Sequence, residues 1–146
     1  MATSTEFRST LIQTAKAFVK CYNVWTVEAV LSLRTENCKH TVLPASLNVP
    51  TYVKAEYGPF FAPFMALLTD VSLKIVDEEK LVVDTEKRKV VLHVKSAGKS
   101  AVGDYGNEYN WTLTMTEDGK MIEDIVEFVD SATAVEFFRQ QAQMDV

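Results

Sequence analysis

The chain has 146 residues, the size of one ordinary domain, and its 47% hydrophobic and 10% aromatic content with only five Gly and four Pro supports a core and excludes a low-complexity chain. A net charge of −5 and a pI near 5.0 argue against a general nucleic-acid binder, which needs a basic face to replace counterions along phosphates. The opening MATSTEFRST is not a secretory signal, and no apolar run approaches the ~20 residues of a membrane span, so a soluble, cytoplasmic protein with a single domain over 1–146 is expected.

Thr3 to Glu6 matches a T-x-x-E capping box, and Phe7, Leu11, Ala15, Phe18 and Tyr22 recur at helical spacing. They predict an amphipathic helix over 5–22, closed by Asn23. Thr26 is placed to cap a short second helix carrying Val27, Val30, Leu31 and Arg34. CKHTVLPASLNVP is too rich in proline and β-branched residues for a helix; 38–43 reads as a strand and 44–51 as a loop. Cys21 and Cys38 fit no common zinc spacing and read as reduced packing residues. Residues 52–69 have a helical composition but hold Gly58, Pro59 and Pro63. A helix there is expected to break or kink near 58–63, with Phe60, Phe61, Phe64 and Met65 packed inward.

The second half alternates like strands, in VSLKIVDEE, KVVLHVKSA, NEYNWTLTMT and KMIEDIVEFVD. Turns are expected at DTEKRK (84–89) and EDG (117–119). Asp130 or Ser131 then caps a final helix with Val135, Phe137 and Phe138 as apolar contacts. Helices, a meandering antiparallel sheet and a closing helix define an α+β fold, with helices laid on one face of a curved sheet.

The segment TEDGKMIEDIVEFVDSATAVEFF resembles the C-terminal hairpin and helix of SnoaL-like proteins, within the nuclear-transport-factor-two-like (ketosteroid-isomerase-like) superfamily. In order, LRTENCKHTVLPASL, AEYGPFF, NEYNWTL and EFVDS resemble small cofactor-free enzymes of fungal polyketide and meroterpenoid pathways. The resemblance covers about residues 8–140. It implies a cone, a cystatin-like α+β barrel whose curved sheet wraps the N-terminal helices around a cavity, commonly dimeric through the outer sheet face. YGPFFAPF departs from the uninterrupted helix that the family runs there.

No G-x-S-x-G, P-loop, G-x-G-x-x-G or H-E-x-x-H motif is present, so chemistry is expected from side chains acting as acids, bases and hydrogen-bond donors. In NEYNWTL, Tyr109, Trp111 and Leu113 fall on one side and Glu108, Asn110 and Thr112 on the other. Alternation alone favours a solvated polar face. The resemblance, in which this strand helps to line the cone, turns Glu108 and Asn110 inward. It leaves Trp111 and Leu113, with Val126 and Phe128, to meet a second copy. Glu127 is in phase with Glu123 and Ile125. The resemblance makes it a catalytic acid; the alternative is an exposed charge.

His40 and Arg34 match positions that the family places near its pocket. His40 has the titration range to give or accept a proton. Arg34 has the fork to hold an enolate or carboxylate oxygen, or it simply neutralises the end of the second helix. Glu56 and Tyr57 resemble the family's acidic–aromatic pair on the third helix, although Glu56 also suits a surface position beside Lys54. His93 reads as exterior. Aromatic side chains here default to the core; Tyr22, Trp25, Phe60 and Phe64, with Tyr57 and Asn110, are the candidate substrate contacts.

These readings converge on a cofactor-independent isomerase or cyclase of fungal secondary metabolism, acting on a polyketide or meroterpenoid. A carboxylate (Glu56, Glu108 or Glu127) moves a proton, His40 is its partner, and Arg34 with Asn110 stabilises an oxyanion. Retro-Claisen cleavage, enol–keto isomerisation and epoxide opening all fit. The competing reading is a non-catalytic cone that holds a small lipophile or serves as a dimerisation module. A hydrophobic small molecule and a second copy are the expected partners, with no cofactor, metal, nucleic acid or membrane.

Overall fold

The computed structural model describes residues 3–144. Thr3 Oγ1 accepts the Glu6 amide at 3.0 Å and Glu6 Oε2 accepts the Thr3 amide at 3.1 Å, so the capping box forms and starts α1 (Ser4–Val24). Trp25 ends the helix in the left-handed region, at φ 57°. Thr26 accepts the Ala29 amide at 3.1 Å and starts α2 (Val27–Leu31). Arg34 is not on this helix, as the spacing suggested, but opens β1 (Arg34–Leu43), which begins before the expected residue 38.

After a short turn and β2 (Tyr52–Val53), α3 spans Lys54–Met65 without a break at its prolines. The reason is which side of the helix lost its bonds. Pro59 and Pro63 withdraw amides from the carbonyls of Ala55 and Pro59, and all three residues are exposed, so water can serve those carbonyls. The opposite side, with Tyr57, Gly58 and Met65, is buried. At Gly58 a Cβ would stand 3.1 Å from Val27 Cγ1 and 3.2 Å from Leu31 Cδ1, so the missing side chain lets α3 lie close on α2.

The remaining elements are β3 (Thr69–Ile75), β4 (Val82–Asp84), β5 (Lys89–Ser100), β6 (Gly103–Met115), β7 (Ile122–Val129) and α4 (Ser131–Met144). Asp130 caps α4, its Oδ2 accepting the Thr133 hydroxyl at 2.8 Å. The sheet order is β2-β1-β7-β6-β5-β3, with β4 also on β5, so the α+β architecture with a curved sheet is present as expected. One pairing refines it: β1 runs parallel to β7, with Val42 opposite Glu127, while the other pairs are antiparallel. Among the described residues no helix is long and apolar enough to cross a membrane.

The inner sheet face packs on Leu11, Ala15 and Phe18 of α1. It carries Leu92 and Val94 from β5, Trp111, Leu113 and Met115 from β6, and Ile122 and Ile125 from β7. The two-sided strand is thereby resolved against the inward reading of its polar side. Trp111 and Leu113 point in, and Glu108 and Asn110 are exposed on the outer face. Burying each large apolar side chain stabilises by about 1.5–3 kcal/mol, whereas burying an unpaired carboxylate costs more than that. Trp111 and Leu113 are therefore not surface for a second copy. Val126 and Phe128 do stay on the outer side, and Phe128 is 53% exposed.

Candidate active site

Between the inner sheet face, α3 and α4 lies a cavity of about 400 Å³. Its wall is aromatic. Tyr22 and Trp25 come from the end of α1, Tyr57, Phe60 and Phe64 from α3, and Trp111 from β6, so every aromatic candidate contact borders it. Phe60 and Phe138 are partly exposed at its edge and give it an apolar mouth. Among the described residues bordering the cavity, Glu127 alone is charged.

Glu127 reaches this wall because β7 alternates with Ile125 inward and Val126 outward, and Glu127 follows Ile125. Its side chain is 14% exposed, and Oε1 lies 2.9 Å from His40 Nε2. His40, on the neighbouring strand β1, is fully buried. Its other nitrogen, Nδ1, lies 2.9 Å from Arg34 Nη1. Arg34 Nη2 donates to Tyr22 Oη at 2.8 Å, and Tyr22 Oη lies 3.2 Å from Tyr57 Oη. The guanidinium carbon stands 4.1 Å from the centroid of the Tyr57 ring, and His40 stacks on the same ring at 4.3 Å. Three of the five catalytic candidates, Arg34, His40 and Glu127, thus form one chain of contacts that ends in the cavity. Arg34 Nε also donates to Val30 O at 3.2 Å, so it serves the end of α2 as well.

This chain dictates the tautomer of His40. A guanidinium has only donors, so Nδ1 facing Arg34 must be the acceptor. The ring proton then sits on Nε2 and donates to Glu127. Burial, opposed by the hydrogen bond to Glu127 and reinforced by the charge of Arg34, holds the His40 pKa below its ordinary value. His40 is a neutral donor between a cation and a carboxylate. Glu127 keeps Oε2 free of protein partners among the described residues.

A second polar group borders the same space. Ser96 Oγ accepts the Asn107 amide at 3.1 Å and lies 3.1 Å from Tyr109 Oη. Asn107 Nδ2 donates to Tyr105 Oη at 2.9 Å, leaving that phenol its own proton to give. Burial raises the pKa of both tyrosines, strongly for Tyr109, where the charge of Glu127 adds to it, so both stay protonated donors at neutral pH. Tyr105, Tyr109 and Ser96 were not among the sequence candidates. The available signal was that Tyr109 shares its strand face with Trp111.

The other candidates lie elsewhere. Glu108 is half-exposed on the outer sheet face, 2.5 Å from Nε2 of His93, which is exterior as expected. Asn110, in the same phase, is also outside. Glu56 is exposed and accepts the Val53 amide at 3.1 Å, closing the first turn of α3 while Tyr57 beside it points inward. Glu56, Glu108 and Asn110 therefore do not reach the cavity. Among the described residues no group of three His, Cys, Asp or Glu side chains is arranged to hold a metal ion.

No family model matches the chain. Curated relatives do. Austinoid biosynthesis cluster protein H of Aspergillus calidoustus is 36% identical over 127 residues, covering 86% of each chain. The corresponding protein H of Penicillium brasilianum is 37% identical with the same coverage. The chain belongs to this family of fungal austinoid-cluster proteins. Solved structures place the family member on a shared fold: the BvnE pinacolase from Penicillium brevicompactum has a TM-score of 0.89 at 33% identity, covering 98% of this chain and 97% of that one. AusH from Aspergillus nidulans has a TM-score of 0.81 at 35% identity, covering 85% and 86%. A Methylobium petroleophilum protein described as having a cystatin-like fold, 13% identical with a TM-score of 0.66, shares the fold alone.

Proposed function

We propose that the protein is an isomerase- or cyclase-type tailoring enzyme of secondary metabolism. It rearranges an oxygenated polycyclic intermediate of polyketide or terpenoid origin inside the cavity, with Glu127 as the proton-transferring group. The observation that carries this reading is a lone carboxylate at the wall of an apolar cavity, backed by a neutral histidine and a buried arginine. The relatives named for austinoid clusters and the structural neighbour named a pinacolase support it.

The geometry suits a proton shuttle. Glu127 Oε2 removes a proton from a carbon or hydroxyl of the substrate. Electron density moves onto a substrate oxygen, and the O–H groups of Tyr105 and Tyr109 stabilise it by hydrogen bonds that strengthen as charge develops. Glu127 then returns the proton at another atom, so the product has the mass of the substrate. His40 holds Oε1 and orients the carboxylate; Arg34 supplies fixed positive charge behind it. Positioned acid–base groups of this kind contribute about 10²–10⁴-fold in rate.

The test is to isolate the intermediate that accumulates in a strain lacking this protein and incubate it with purified wild type and Glu127→Gln. Wild type should give an isomer of unchanged mass and the variant should lose about 10²–10⁴-fold in rate while remaining folded. Recovery of bound but unaltered compound from wild type would mean a lipophile-binding cone and overturn the enzymatic reading. A companion proposal is assembly of two copies through the outer sheet face around Val126 and Phe128. Phe128→Glu should then halve the mass seen in sedimentation, and a monomeric wild type would refute it.

A further inference from the structure

We propose that Asn107 is a positioning residue for the reaction: it donates to two hydroxyl oxygens at the cavity wall, so that O–H hydrogens there are left for a carbonyl oxygen of the substrate. The inner face of β6 otherwise carries Tyr105, Tyr109, Trp111, Leu113 and Met115, and Asn107 lies in the same phase, 5% exposed. A buried amide among aromatic and aliphatic neighbours is costly unless it is hydrogen-bonded. This one is fully engaged. Nδ2 donates to Tyr105 Oη at 2.9 Å and to Asp130 O at 3.2 Å, and Oδ1 accepts the Glu108 amide at 2.7 Å. The backbone amide of Asn107 donates to Ser96 Oγ at 3.1 Å. A carbonyl oxygen only accepts and a backbone amide only donates, so Asp130 O and the Glu108 N–H fix which end of the side chain is the nitrogen.

The hydrogens can then be counted. Tyr105 Oη receives one from Nδ2, which cannot accept one in return, and it has no other partner among the described residues, so its own O–H is unspent. Ser96 Oγ likewise receives one from the Asn107 amide. Ser96 Oγ and Tyr109 Oη lie 3.1 Å apart and share one hydrogen, so one of the pair's two is also unspent. All three residues border the cavity, and Ser96 and Tyr109 are only half-buried, so an occupant has access to that pair. Tyr109 is the diagonal neighbour of Glu127, since Tyr109 faces Val129 and Trp111 faces Glu127 in the β6–β7 register. Donors for an oxygen that gains electron density thus stand beside the carboxylate that moves the proton. A hydroxyl that accepts a hydrogen bond also donates a stronger one. An aspartate at 107 would reverse the arrangement, because its carboxylate would take the Tyr105 hydrogen for itself. This inference rests on the reading of the cavity as the substrate site.

The probe is 9-fluorenone labelled with ¹³C at its carbonyl, a rigid apolar ketone with no donor of its own, and the readout is its C=O stretch when bound to the full chain. On wild type the band should lie below its position in hexane. Asn107→Asp, nearly identical in shape, should move it back up, because the carboxylate accepts the Tyr105 O–H. Tyr105→Phe should move it up by as much, and the two changes together should add nothing further. With the accumulated intermediate as substrate, Asn107→Asp should lower kcat about 10²-fold, the effect of one oxyanion donor, with KM nearly unchanged. A residue that only braces Asp130 O would instead lower the thermal midpoint, leave the band and kcat at their wild-type values and add its effect to that of Tyr105→Phe. That result, or a wild-type band at the hexane position, overturns the inference while the cavity reading stands. If Asn107→Asp does not fold, Tyr105→Phe decides alone, and an unmoved band means that the phenol gives its hydrogen to no ligand. If fluorenone does not bind and Glu127→Gln turns over as fast as wild type, the cavity reading fails and takes the inference with it.

Discussion

His40 is held in one tautomer from both sides, and that makes Arg34 as important to the site as the carboxylate. Arg34→Met would leave Glu127 without its compensating charge and Tyr22 Oη and His40 Nδ1 without a donor. Removing one member of a buried charged network costs about 3 kcal/mol or more, read as a lower urea midpoint. Arg34→Lys should recover little, because an ammonium cannot reach Val30 O, His40 and Tyr22 with three separate nitrogens. The lowered pKa of His40 has a consequence for stability. The unfolded chain takes up a proton near the ordinary value of 6.5, and the folded chain refuses it until lower pH. Stability is then unchanged above about pH 6.5 and declines as the pH falls below it. The carboxylates Asp118, Asp130 and Glu136, held low by hydrogen bonds from Lys120, Thr133 and Arg139, act only at more acid pH. Urea midpoints at pH 7.5, 6.5 and 5.5 should fall between the last two, and His40→Gln should flatten that fall; a flat wild-type profile would contradict a His40 held neutral.

At the scale of elements, the β6–β7 hairpin is what docks the inner sheet onto α1. Gly119 sits at its tip with φ +76°, and a Cβ there would meet Phe7 Cε1 at 3.0 Å and Leu11 and Thr10 at 3.2 Å. Its carbonyl accepts the Thr14 hydroxyl across the contact. Gly119→Ala adds a left-handed backbone penalty of about 1 kcal/mol to that crowding, so a loss of about 2 kcal/mol is expected from thermal unfolding. Thr14→Val should cost about 1 kcal/mol by leaving the carbonyl unpaired. The turn itself was legible as EDG, and the starts of α1 and α2 were legible at Thr3 and Thr26, because each signal is complete within four residues. The course of α3 was not. Whether Pro59 breaks a helix depends on which side of it meets water, and that is decided by docking on α2 and the sheet. The faces of NEYNWTL were legible from alternation alone; the family resemblance pulled the reading the wrong way, since a cone can be lined by the aromatic face of the same strand.

Across the whole molecule, the site exists because of one non-local pairing. Arg34 and His40 on β1 meet Glu127, 87 residues beyond His40, because β1 lies parallel beside β7. No local pattern announces that pairing, so the sequence could nominate the three residues but not join them, and it offered Glu56 and Glu108 with equal chemical credentials. The same architecture leaves the fold partly hollow, and a hollow apolar interior forgoes packing that a filled one would have. Val129 on β7 borders the cavity, lies in phase with Ile125 and Glu127 on the inner face, and takes no part in the Arg34–His40–Glu127 chain. Val129→Phe places a ring in space that is empty and mostly apolar, so it should keep the thermal midpoint or raise it by about 2–4 °C, the shift that about 1 kcal/mol produces in a protein of this size. Turnover of the accumulated intermediate should fall by more than about tenfold, since the variant's gain in packing is the volume that the ligand needs. A variant that is more stable and still turns over as fast as wild type would mean that the ligand sits outside this cavity, and the carboxylate at its wall would lose its claim to the chemistry.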